Sequence, residues 1–150
     1  MKTSVTRILS MVMVVAIISC LSCVMTSAQP NGLLRSSNYI DAYSADVSAA
    51  SGGEIIVGVT VDGLGYMTQI GASSITIYKS SDQITWNPVK TYSYTNYPSM
   101  MTSGYHYFAD AVTYYGTPGY YYMAIVTCYA GNANGHDSRP YTTSGTRAIS

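Results

Sequence analysis

Apolar and polar residues alternate with a period of two along most of the chain beyond residue 38, and that period marks half-buried β-strands. The strongest stretch is Gly119–Ala130, uncharged and rich in aromatic and β-branched residues, between Gly116-Thr117-Pro118 and Gly131-Asn132. Every second residue puts Tyr120, Tyr122, Ala124, Val126 and Cys128 on one face, and Tyr121, Met123, Ile125, Thr127 and Tyr129 on the other. Both faces are apolar enough to be covered, which predicts a strand in mid-sheet. Glu54–Val61 is the clearest alternation, with Ile55, Val57, Val59 and Val61 inward, and Asp62-Gly63-Leu64-Gly65 is expected to end it.

Weaker patterns fill in the rest. Tyr39–Ala49 alternates imperfectly, with Tyr39, Asp41, Tyr43, Ala45 and Val47 on one side, and reads as an edge strand. Tyr66–Ser73 is expected to connect, tucking Met67 and Ile70 beneath it, and Ser74–Ser80 follows with Ile75 and Ile77 inward. Pro88, which cannot donate to a ladder, makes the next strand (Thr85 to Tyr92) an edge or marks a bulge. Ser93–Gly104 has no period; Tyr105–Thr113 resumes with Phe108 and Val112 inward; and Asn132–Asp137 reads as a turn before a last polar strand, Arg139–Arg147. The sum is about seven short antiparallel strands with no helical period, an all-β sandwich.

The start of the chain follows a different pattern. Lys2 and Arg7 precede the apolar run Ile8–Ile18, and Thr26-Ser27-Ala28 offers small residues before Gln29-Pro30. Residues 1–28 therefore read as a signal peptide cleaved after Ala28, 29–38 as a lead-in segment and 39–150 as the folded domain. Two alternatives stay open. Ile17-Ile18-Ser19-Cys20 resembles a lipobox that would lipidate Cys20, and the apolar run to Met25 is close to the lower limit for a span, about 18 residues. With cleavage the protein is expected to be extracellular, with no membrane insertion.

Cysteine usage fits export without disulfides. Cys20 and Cys23 fall in the leader, so Cys128 stands alone in the mature chain as a small buried hydrophobe. That usage is more typical of Gram-positive bacteria than of eukaryotic secretion. Residues 29–150 hold five Lys and Arg against seven Asp and Glu, a formal net of −2, with no basic patch. Nucleic acid is therefore not an expected partner. All 16 tyrosines lie in this part.

Gly119-x-x-Tyr122-x-Ala124-x-Val126 resembles the tyrosine-corner strand of immunoglobulin-like and fibronectin-III-like sandwiches, in which a Tyr lies two residues before the second cysteine of antibody domains. Ala124 stands at that position, with Val57 or Val59 in its partner's place, and the tryptophan of the third strand is absent, since Trp86 comes a hairpin later. The resemblance implies an immunoglobulin-like sandwich that is not of the antibody type. The segments Ile70–Ile75, Tyr78–Asp82, Thr85-Trp86, Val89–Tyr92, Tyr97-Pro98-x-Met100-Met101, Gly116–Tyr120 and Asp137–Thr143 also resemble a family of small secreted proteins of Firmicutes. That resemblance implies no activity.

The candidate chemistry is sparse. Ser80-Ser81-Asp82-Gln83-Ile84-Thr85-Trp86 is similar to the Asp-box hairpin of sialidases, Ser-x-Asp-x-Gly-x-Thr-Trp, but one residue short and lacking the glycine. There the carboxylate caps a turn, a structural role. His106, His136, Asp110 and Asp137 are the only residues for acid–base work, and a small secreted hydrolase using His106 or His136 is the alternative function. Asn132-x-Asn134-Gly135 lacks the acids that close a calcium loop, so neither metal nor cofactor is expected. The stronger lead is a Tyr-rich loop of Tyr92, Tyr94, Tyr97, Met100, Met101, Tyr105 and Tyr107, because Tyr gives large amphipathic contact area at low entropic cost. It predicts a non-enzymatic binding module for a cell-wall or host glycan or a protein; its competitor is that these rings cover the sandwich end with their hydroxyls in water.

Overall fold

The computed structural model describes residues 37–150. The expected signal peptide, its cleavage after Ala28 and the lipid alternative at Cys20 lie outside the described residues. Nine strands follow one another: β1 (Ile40–Ala50), β2 (Glu54–Met67), β3 (Gln69–Ser80), β4 (Asn87–Ser93), β5 (Met101–Thr102), β6 (Tyr105–Tyr115), β7 (Tyr121–Asn132), β8 (Gly135–Thr142) and β9 (Thr146–Arg147). The only helical pieces among the described residues are three-residue 3-10 turns at Ser51–Gly53 and Pro98–Met100. All strand pairs are antiparallel. One sheet has the order β1-β2-β6; the other has β4-β3-β7-β8, with β5 extending the β4 edge along β3 and β9 extending the β8 edge along β7.

The two sheets share a single core, as in a β-sandwich. Ile55, Val57, Val59 and Val61 of β2 face Ile70, Ala72, Ile75 and Ile77 of β3 and Tyr122, Ala124, Val126, Cys128 and Ala130 of β7, all buried. Each large aliphatic side chain so buried contributes about 1.5–3 kcal/mol. The all-β expectation, the central place of β7 and the edge positions of β1 and β4 all hold. The outer face of β7 differs from expectation: Tyr121, Met123, Ile125, Thr127 and Tyr129 are half-buried, and no element lies over them among the described residues.

Other differences trace to bulges and to shifted strand ends. A bulge at Asp41 reverses the parity of β1, so Ile40 turns inward with Tyr43, Ala45 and Val47 while Asp41 is exposed. Strand β2 does not stop at Asp62: Asp62 pairs with Tyr107 and Met67 with Tyr105, and residues 63–66 swell outward between them. Burial of Met67 in the core returns the chain to the ladder after the swelling. A bulge at Val89, beside Pro88, adds to the edge position of β4. β3 begins at Gln69, earlier than expected, and Gly71 (φ +147°) lets the Met100 carbonyl approach where a side chain would collide with it. His136 and Asp137 belong to β8 rather than to a loop, because Asn132 pairs with Gly135 across a two-residue turn.

Candidate functional site

Pairing of Asp62 with Tyr107 and of Met67 with Tyr105 sets the β2 swelling beside the first turn of β6. Leu64 and Tyr66, released from the pairing with β6 while Leu64 still gives its N–H to Tyr39, therefore share one end of the domain with Tyr105, His106 and Tyr107. Their exposure is high for side chains of this size: Tyr66 76%, Tyr105 60%, Leu64 55% and Tyr107 48%. Tyr105 and Tyr107 are two apart on a strand and so point to the same, outer side of the sheet. The Tyr66 ring meets His106 edge-on, with centroids 6.3 Å apart. His106, between Tyr105 and Tyr107, points to the opposite side, where the Tyr66 ring meets it, so these exposed side chains form a rim at one end of the domain but divide between the two faces of β6.

The seven residues singled out from sequence divide between this rim and a second place. Tyr92 is buried; its ring meets Tyr97 at 5.0 Å and its hydroxyl donates to the Thr113 carbonyl at 2.9 Å, tying β4 to β6 across the sandwich. Burial, with Tyr97 and Tyr114 nearby, pushes that hydroxyl above the usual tyrosine range. Tyr94 and Tyr97 are exposed on the crossover from β4 to β6. Met100 is buried beneath them, and Met101, half-buried in β5, pairs with Gly71. Tyr105 and Tyr107 belong to the rim. Leu64 and Tyr66 had no place in the sequence reading; a leucine held between Gly63 and Gly65 and followed by a tyrosine was the available signal.

Between β6 and the crossover a shallow crevice opens at the sandwich edge, walled by Val59, Ile75, Met100, Phe108 and Val112 with Asp110 at its mouth. The space its walls enclose is about 10 Å³, enough for a single water molecule, and the rest is open to solvent.

The acid–base candidates are apart or engaged. His136 stacks on Tyr129, 5.3 Å between centroids, and His106 rests against Tyr66. Asp137 holds Arg139 at 2.7 Å. Burial raises the Asp137 carboxyl, but bonds from Ser37, the Ser138 N–H and Arg139 outweigh that and keep it below the usual range. Asp110 accepts the N–H of Ala111 at 2.8 Å. No group of three or more His, Cys, Asp or Glu lies together among the described residues. Asp82 caps its own turn, accepting the N–H groups of Ile84 and Thr85 at 2.9 and 2.8 Å.

The chain matches no family model, and no curated protein matches its sequence.

Proposed function

We propose that the protein is a secreted, non-enzymatic binding module of a Gram-positive bacterium, related to the small secreted proteins of Firmicutes. It holds its ligand on the aromatic rim of an immunoglobulin-like sandwich. The exposure of Tyr66, Tyr105 and Tyr107 at one end carries this reading, since large rings left uncovered near one another mark contact surfaces. The immunoglobulin-like reading is supported by Tyr122: its buried ring sits under the β6–β7 connection, and its hydroxyl accepts the Thr117 N–H at 2.8 Å, five residues upstream. The central strands β2 and β7 also lie face to face, as that fold requires.

The ligand class follows from the chemistry of the rim. Tyrosine faces suit the C–H surfaces of sugar rings and their hydroxyls exchange hydrogen bonds with sugar hydroxyls, while little charge is on offer. The ligand is therefore a glycan of the cell wall or of a host surface. The test uses peptidoglycan sacculi and mucin-coated beads as probes, with wild type and a Tyr66→Ala/Tyr105→Ala variant of unchanged melting temperature. Wild type is expected to be retained on at least one probe and the variant to lose about tenfold or more, as for removal of two anchoring rings. Equal retention of both proteins, or no retention of wild type on either probe, rejects the reading.

A further inference from the structure

Strand β6 is eleven residues long and, among the described residues, pairs on one side only, with β2. Its backbone groups divide cleanly by parity. Gly116 donates its N–H to Gly53, just before β2, so even-numbered residues address β2. Ala111 instead gives its N–H to the Asp110 carboxylate, and the Thr113 carbonyl takes the Tyr92 hydroxyl. Both observations place the odd-numbered groups on the unpaired edge. Among the described residues no strand pairs with that edge, and Ala111 and Val112 place it beside the apolar crevice.

Asp110 pairs with Val59, a core position, and so stands on the inner side of its sheet between Phe108 and Val112. Asp110 is itself exposed at the sheet edge, and among the described residues the only ion pair is Arg139–Asp137, so this carboxylate has no cation beside it. A second copy of the chain pairing antiparallel about the middle of β6 would set Asp110 against its own counterpart, and like charges directly opposite are destabilising. A strand bringing a cation to the same position would be drawn in. The carboxylate would then turn from Ala111 to that cation and release the Ala111 N–H to the new ladder.

We propose that the free edge of β6 is a strand-addition site for an extended peptide that points small apolar side chains into the crevice and a lysine or arginine at Asp110. The backbone ladder supplies affinity; the crevice and Asp110 supply selectivity. The shallow crevice favours β-branched over aromatic side chains, and the carboxylate rejects both acidic strands and self-pairing. This site continues along β6 from the rim residues Tyr105–Tyr107 but draws on the backbone edge, the crevice and Asp110, so it stands whether or not the rim binds a glycan.

The probe is a short synthetic peptide with valine on one face, threonine on the other and the central valine replaced by lysine. Its counterpart carries glutamate there. Wild type is expected to bind the lysine peptide about fivefold to tenfold more tightly than the glutamate peptide, read by fluorescence anisotropy at low salt. Amide exchange is expected to slow at Ala109 and Ala111. Asp110→Lys is expected to reverse the order of the two peptides, a result that a merely misfolded variant cannot give. Equal affinities for the two peptides, or protection that leaves β6 untouched, overturns the proposal. So does protection of the same amides by self-association of wild type without peptide, which would make a second copy the occupant.

Discussion

A single carboxylate decides the shape of the β3–β4 connection. Asp82 accepts N–H groups from Thr85 and Ile84 and the Ser80 hydroxyl, and these bonds hold its carboxyl at about 2, against an ordinary 3.8. The Ser80-x-Asp82 spacing made this turn readable in the sequence, because a short acid in a turn accepts backbone N–H groups two and three residues further on. The missing glycine of the motif is answered by Gln83, the one non-glycine residue with positive φ (+61°) among the described residues. Because the folded carboxyl is depressed, its stabilisation is fully present above the unfolded value and is lost as pH falls from about 4 through about 2. Asp82→Ala is therefore expected to melt below wild type at pH 7, with the gap closing as the pH approaches 2. Thermal melts of both proteins across that range check it, and a gap that persists unchanged at pH 2 would remove the charge from the explanation.

At the scale of strands, the central pair and the edge positions of β1 and β4 were readable, and the bulges within the strands were less so. β2 and β7 carry unbroken alternation because each buries one whole face, so their inward residues could be named directly. In β1 the shared side of Tyr43, Ala45 and Val47 was readable, but the extra residue at Asp41 turns Ile40 inward in Asp41's place, and no residue type marks that bulge. Pro88 did mark the irregularity of β4, having no N–H to give. Tyr122 shows how a strand also fixes a loop: its hydroxyl receives the Thr117 N–H, and its ring lies against Tyr114 at 5.9 Å and beneath Gly116. Tyr122→Phe keeps the ring and orphans that N–H, which is expected to lower unfolding free energy by about 1–2 kcal/mol in urea titrations. Tyr120→Phe, at an exposed ring on the same connection, is expected to change nothing measurable. Equal stability of Tyr122→Phe and wild type would show that the hydroxyl does not hold the loop.

Whole-molecule relationships were the least readable, because they depend on which distant strands pair. Tyr105 and Tyr107 could be chosen for their composition, but Leu64 and Tyr66 join them only once Asp62 is set against Tyr107. Tyr92 and Met100 likewise had the composition of a contact loop, yet the fold draws both inward to close the gap between the sheets. The same long-range closure governs Cys128, the one cysteine among the described residues. It lies in mid-β7 with both neighbouring strands in place, and burial pushes its thiol up to about 12. A thiol so placed is neither nucleophilic nor reachable until the sheets part. Native protein is therefore expected to resist alkylation at Cys128 by peptide mapping, and labelling is expected to rise only across the urea unfolding transition. Rapid labelling in plain buffer would mean that β7 opens without global unfolding, and the shared core would then not be one cooperative unit.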